Sequence, residues 1–256
     1  MYITAKKTYS TLSFDNGEKL VVSANYPKEK NLSAFSEIDF EQCLSENLTF
    51  HLQFGMDSAL NYLSYCDRTE EQIRSFLKKK NIPNEIIEAI MLKLKSYHYA
   101  DDERYATLYT ESAKLSTKGK RLIAAKLKQK GIDDDTIITA LEHYSENDER
   151  SSAQEWIDRQ YRSLSQYPPS LRKEKIMKQL IAKGYPHALI VDILQSYDDD
   201  NSEYNAYYEK LIDKKLLLLK AKGLSEQIIK QKLMAHFRPK GAPSELICER
   251  IQKILH

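Results

Sequence analysis

TEEQIRSFLKKKNIPNEII occupies residues 69–87, and GKRLIAAKLKQKGIDDDTI repeats its plan at residues 119–137. Ile73 and Leu77, like Ile123 and Leu127, stand four apart, which puts both on one face of a helix. Each pair is followed by Lys80-Asn81 or Lys130-Gly131. Gly or Asn closes a last helical turn in the left-handed conformation, and Lys suits the negative end of the helix dipole. Two residues on, Pro83 or Asp133 opens a second helix, as proline and aspartate do at helix starts. Its buried face is written by Ile86, Ile87 and Ile90.

The plan recurs twice more. Ile176/Leu180 leads to Lys183-Gly184 and Pro186, and Ile229/Leu233 to Lys240-Gly241 and Pro243, the last after an inserted MAHFRPK. Successive Leu-to-Leu intervals are 50, 53 and 53 residues. A constant period with constant internal phase marks a tandem helical array. A third helix in each unit starts on acid: Asp101-Asp102-Glu103, Asn147-Asp148-Glu149 and Asp198-Asp199-Asp200. Carboxylates there would cap its own free N–H groups. The expected fold is therefore mainly all-α: three-helix repeats at 67–115, 116–167 and 168–222, and a partial repeat at 223–256, in an elongated, curved array. Two linking helices are expected over 37–66. Before them, residues 1–36 predict a small β-ribbon, with Asn16-Gly17 turning between the alternating run Thr8–Phe14 and Leu20–Val22.

Composition agrees. Seven glycines among 256 residues, where about 7 % is usual, disfavour a turn-rich all-β fold. The longest leucine run, Leu216–Leu219, is bracketed by Lys215 and Lys220, far short of the ~20 apolar residues of a membrane-spanning helix. MYITAKKTYS offers no apolar stretch for a secretory leader, and Cys43, Cys66 and Cys248 are odd in number and far apart. A cytoplasmic protein with reduced thiols and no membrane association is expected.

The net charge of +2 hides segregation. Lys114, Lys118, Lys120, Arg121, Lys126, Lys128 and Lys130 form a run of seven cations without an acid. Residues 131–167 carry nine acids against three bases, and residues 203–256 eleven bases against six acids, with Lys214, Lys215, Lys220 and Lys222 as a second basic element. Such runs suit a polyanion or an acidic protein groove, and equally the solvated face of an amphipathic helix. The helix–turn–helix joints could place a helix in a DNA groove, but starts such as Asp133-Asp134-Asp135 would repel phosphate. Asp198, Asp200 and Glu209 have calcium-loop spacing, yet Glu203 stands where that loop requires glycine. The six histidines are scattered, and phosphate-loop, dinucleotide and nucleophile-elbow motifs are absent. No catalytic residue, metal or cofactor is expected. Trp156 and Tyr97, Tyr99, Tyr105, Tyr109, Tyr204, Tyr207 and Tyr208 read as cement between helices.

As an ensemble, TEEQIRSFLKKKNIPNEII, YADDERYATLYTESA and GKRLIAAKLKQKGIDDDTI resemble the RecX family of bacterial RecA regulators, from about Asp67 onward and most strongly over 68–141. The chain is similar to the longer members, with a β-ribbon and a further repeat. Asn81 in place of glycine, and a second unit (DERSSAQEW) without the aromatic of DERYA, depart from the pattern. The resemblance implies a non-enzymatic protein that binds RecA and its filament on single-stranded DNA. It implies inhibition of strand exchange, ATP hydrolysis and SOS coprotease activity. The two basic elements would meet RecA or DNA, and the chain is expected to be a monomer. A stand-alone DNA-binding protein is the alternative.

Overall fold

A computed structural model describes residues 2–33, 36–165, 167–197 and 204–255. Asp198-Asp199-Asp200 and Glu203, on which the third acidic start and the calcium-loop reading fall, lie outside the described residues. The chain forms two compact units, one of Met1–Thr110 with Ala124–His143 and one of Glu111–Ile123 with Tyr144–His256.

The first unit opens with an antiparallel sheet in the order β1 (Tyr2–Ala5), β2 (Tyr9–Ser13), β3 (Lys19–Ser23). The β2–β3 pair is the hairpin expected around Gly17, which sits at φ 90°. Strand β1 was not expected: four residues, mostly exposed, carry too little alternation to register as a strand. In β3, Leu20, Val21 and Val22 are all fully buried because both faces of the sheet are covered. Leu20 and Val22 pack with Leu12, Tyr26 of α1 (Tyr26–Glu29) and Cys43 of α2 (Phe40–Glu46). Val21 points the other way, into a core with Ala59 of α3 (Leu48–Leu63), Ile73 and Leu77 of α4 (Glu70–Lys79) and Ile87 and Ile90 of α5 (Asn84–Ser96).

Helices α6 (Asp102–Leu115), α7 (Lys120–Gln129) and α8 (Asp134–Glu142) follow, then α9 (Glu146–Ser163), α10 (Pro169–Ala182) and α11 (His187–Leu194). The chain ends in α12 (Asn205–Ala221), α13 (Glu226–Phe237), a 3-10 turn (Arg238–Lys240) and α14 (Ser244–Leu255). Among the described residues, two cores lie within the second unit. One joins Ala153 and Ile157 of α9 to Ile176 and Leu180 of α10 and Ile190 and Ile193 of α11. The other joins Ile212 and Leu216 of α12 to Ile229 and Leu233 of α13 and Ile247 and Ile251 of α14. Packing therefore groups the helices one step earlier than the sequence boundaries did. The Ile/Leu pair marks the middle helix of a three-helix bundle, which must touch the helix on each side of it, and α3 belongs with α4 and α5. Pro83 and Pro186 also stand one place earlier than first helical residues, as N-caps of α5 and α11.

The joints after the Ile/Leu helices share one conformation. Asn81, Gly131, Gly184 and Gly241 all have positive φ, from 58° to 89°. At Gly184 the requirement is twofold, because a Cβ there would lie 2.3 Å from the backbone nitrogen of Leu122. Ala at Gly223, by contrast, would meet nothing within 4 Å and bears only its φ of 69°.

His51 is fully buried on α3, and among the described residues neither ring nitrogen has a hydrogen-bond partner. Burial of the charged form pushes its pKa from the ordinary 6.5 down to about 4.

Two stability measurements follow from these features. Gly223→Ala should cost about 1–2 kcal/mol, the left-handed penalty alone. Gly184→Ala should cost about 1–3 kcal/mol more, from the forced separation of α10 and α7, read as a larger drop in urea midpoint. For His51, the unfolded chain binds a proton between about pH 6.5 and pH 4 that the folded chain refuses. Its contribution is thus complete above pH 6.5 and falls as pH drops, by ~3 kcal/mol in all. The difference in unfolding free energy between the natural protein and His51→Leu should shift by that amount between pH 7 and pH 4.

Candidate functional site

The basic residues are carried on a set of recurrent hydrogen bonds at the helix joints. At the start of α4, the Thr69 hydroxyl donates to the Lys130 carbonyl at 2.7 Å. At the start of α7, the Gly119 N–H donates to the Lys183 carbonyl at 2.8 Å. At the start of α10, the Ser170 hydroxyl donates to the Lys240 carbonyl at 3.0 Å, joined by the Tyr208 hydroxyl at 2.6 Å. In each case the joint residue closing one Ile/Leu helix is tied to the first turn of the preceding Ile/Leu helix.

Acids complete the joints. The first N–H of α4, on Glu70, is accepted by Asp102 at 2.8 Å, and that of α7, on Lys120, by buried Glu149 at 2.8 Å. In α10 the equivalent residue is Pro169, which has no N–H to satisfy. This corrects the expectation that Asp102 and Glu149 cap their own helices: they cap neighbouring ones, while Asp101 and Ser145 cap α6 and α9 locally. It also aligns Glu149, not Asp148, with Asp102. Burial pushes the Asp102 carboxyl up, against the Glu70 N–H, which lowers it.

The seven cations of 114–130 are not alike in space. Lys114 pairs with Asp148 at 2.8 Å, and Lys128 with Asp134 at 2.8 Å. The run that is free of acid in sequence is thus neutralised at two places by the helices that follow it. The Lys130 ammonium lies 5.4 Å from the Tyr105 ring centroid, and that of Lys120 5.9 Å from Tyr144. Lys126 donates to Gln129 at 3.1 Å. Arg121 is exposed, and Lys118 half-buried. On α7, Arg121 and Lys128 share one flank of the buried Ile123/Leu127 stripe, and Lys126 lies on the other.

The second element divides as well. Lys214 and Lys222 are exposed, and Lys220 donates to the Ile254 carbonyl at 3.0 Å. Lys215 turns inward, its ammonium 5.8 Å from the Phe237 ring. There it feels the charges of Lys232 and Lys240 and acts in turn on His236, with Lys240 Nζ 2.9 Å from His236 Nε2. These three come from α13 and the turn after it, so their convergence is invisible in the linear charge pattern. The inserted segment MAHFRPK, which supplies His236 and Lys240, was the available signal.

Not every aromatic is cement. Tyr208 and Trp156 are buried, but Tyr97 and Tyr99 are 67 % and 56 % exposed. A cleft of about 480 Å³ in the first unit is lined by Glu70, Arg74, Lys95, Asp102 and Asp133 among others. Both of its basic side chains are already paired, Arg74 with Glu70 and with Glu88 outside the lining, and Lys95 with Glu70. Among the described residues, no group of three or more His, Cys, Asp or Glu side chains is placed to hold a metal ion, and no helix is long and apolar enough to cross a membrane.

Comparison with known proteins agrees with the packing frame. The family models for the first and second three-helix domains of RecX match residues 56–94 and 101–141. The first match ends with α5 and begins within α3, and the second spans α6 to α8, the same phase as the cores. The regulatory protein RecX of Streptococcus uberis is 30 % identical over 260 residues, covering 99 % of this chain and 98 % of that one. The chain belongs to the RecX family. Another RecX, from Oceanobacillus iheyensis, is 28 % identical over 233 residues, covering 89 % of this chain and 84 % of its own. Among solved structures, a regulatory protein RecX superposes with a TM-score of 0.55 at 26 % identity, covering 76 % of this chain and 98 % of that one. RecX from Lactobacillus salivarius gives 0.54 at 28 % identity, with 57 % and 96 % covered.

The joint acid of this RecX chain can be tested directly. Glu149→Ala leaves the partly buried Lys120 N–H without an acceptor and should cost about 1–3 kcal/mol. Glu149→Gln keeps an acceptor oxygen and should lose clearly less, measured by urea unfolding at neutral pH.

Proposed function

We propose that this RecX-family chain is a non-enzymatic, cytoplasmic regulator that acts as a monomer on RecA and its filament on single-stranded DNA, inhibiting recombinase, ATPase and SOS coprotease activity. The observation that carries the reading is the likeness to a regulatory protein RecX over essentially the whole of both chains. The proposed contacts are the basic segment Lys114–Lys130 and the second element Lys214, Lys215, Lys220 and Lys222. Within the first, Lys114 and Lys128 already hold carboxylates, and Lys120, Arg121 and Lys126 have the strongest case. A phosphate or an acidic RecA surface would draw on the positive potential of this segment.

One arrangement favours the second reading, direct DNA binding without RecA. Tyr62 and Phe76 stack at 4.2 Å, with Arg68 over the Tyr62 ring and Lys80 over that of Phe76. They line a cleft of about 350 Å³, Phe76 and Tyr62 together with Lys79 and Lys130. The rings, covered on both faces, hold these cations in place, and exposed Lys79 beside them would meet a strand phosphate.

DNA-stimulated ATP hydrolysis by RecA, titrated with this protein from far below the RecA concentration, tests the first reading. Inhibition well below one copy per RecA is the expected result; no effect at equimolar protein overturns it. Reversal of Lys118, Lys120, Arg121 and Lys126 to Glu should abolish inhibition with helicity unchanged, and unaltered inhibition rejects the site. Removing any one cation that neutralises a phosphate should lower the salt slope of binding by about one unit. Tight, salt-sensitive binding of an oligodeoxynucleotide by the protein alone, with no effect on RecA, is the signature of the second reading.

A further inference from the structure

The C-terminal bundle gathers like charges that have no evident structural reason to meet. Lys215 from α12, Lys232 and His236 from α13 and Lys240 from the 3-10 turn lie within electrostatic reach of one another. Among the described residues, none of the four has a carboxylate at ion-pair distance. The acids of the neighbouring elements are engaged elsewhere. Asp213 and Glu209 of α12 turn to Arg250 of α14. Glu174 of α10, the acid that feels Lys240, pairs with Lys178 at 2.5 Å. Lys215, His236 and Lys240 are half-buried, so water screens their repulsion incompletely.

The cluster is also held in place. The Lys240 carbonyl is tied by the Ser170 and Tyr208 hydroxyls, and Gly241 turns the chain immediately after it. Phe237 is buried beneath, with the His236 ring set edge-on to it at 4.8 Å. Lys240 Nζ donates to the neutral His236 ring at 2.9 Å, a hydrogen bond that leaves the imidazole uncharged. Donors from two helices and a turn therefore converge on one place while their mutual repulsion is unrelieved. A tetrahedral oxyanion with several acceptor oxygens would relieve it, and would let the imidazole take a proton and donate in turn.

We propose that Lys215, Lys232, His236 and Lys240 form a binding site for a phosphate group, supplied by a polynucleotide backbone or by a free phosphate. The site shares Lys215 with the second basic element and deepens that reading by naming phosphate as the ligand; its test needs no RecA, so a failed ATPase titration would leave it standing.

His236 is the reporter. Without ligand its pKa lies below the ordinary 6.5, through burial first and then the charges of Lys240 and Lys215. A bound anion favours the protonated ring. In the full-length protein, the His236 ring signals should be followed by NMR across pH, with inorganic phosphate and separately with a short oligothymidylate. Chloride at matched ionic strength is the reference. A rise of about one unit above the chloride control, lost in Lys215→Gln and in Lys240→Gln, is the expected result. Lys232→Gln, on the exposed rim, should reduce the shift with the fold intact by far-UV circular dichroism. If the oligonucleotide produces the shift at concentrations at least tenfold below phosphate, the strand backbone is the source. If phosphate saturates the shift and the oligonucleotide does no better, the free anion is. A shift no greater than that of chloride for both probes overturns the proposal, as does a full shift retained in the Lys215→Gln, Lys240→Gln double variant.

Discussion

Each Ile/Leu helix after the first ends on a carbonyl that its own hydrogen-bond ladder cannot use, and the start of the preceding Ile/Leu helix supplies the donor. Thr69 serves Lys130, Gly119 serves Lys183, and Ser170 serves Lys240. A helix end buried without a partner would be costly, so the bond sets which joint can sit against which helix start. It also forces the backbones close together, and only glycine at Gly184 can accept both that approach and a positive φ. The acids Asp102 and Glu149 then satisfy the N–H left over at the same helix starts.

The joints also determine what the lysines do. Lys130, Lys183 and Lys240 each carry the joint carbonyl, and their ammonium groups lie over Tyr105, over Trp156 and against His236. A lysine in this position is partly structural, whatever else it contacts. By the same logic, Lys114 and Lys128 are held by acids of α9 and α8. What a run of cations can offer a partner depends on which members folding leaves without a carboxylate. Lys215, Lys232, His236 and Lys240 come within electrostatic reach of one another outside the longest run.

The interior has its own titratable exception. His51 is fully buried on α3, without a partner among the described residues for either ring nitrogen. Its neutrality at physiological pH is a condition of that packing, which makes the first unit sensitive to acid.

The repeat was legible in the sequence because its signals are local. Ile73/Leu77 and its three counterparts sit on one helix face, the Lys-Gly joints end helices, and Asn16-Gly17 turns a hairpin, all through chemistry contained within a few residues. Asn81 was legible too, since it reaches the left-handed conformation at φ 58° that glycine supplies elsewhere. The frame of the bundles was not, because an Ile/Leu stripe does not say which neighbouring helices cover it. Strand β1 escaped because its order comes from pairing with β2 rather than from its own four residues. The roles of Asp102 and Glu149, the neutralisation of Lys114 and Lys128, and the gathering of Lys215 with His236 and Lys240 all join residues on different elements. Local spacing determined the helices and where they end; only the packing of those helices decided which charges cancel and which converge, because electrostatic interaction depends on distance in space and is blind to order along the chain.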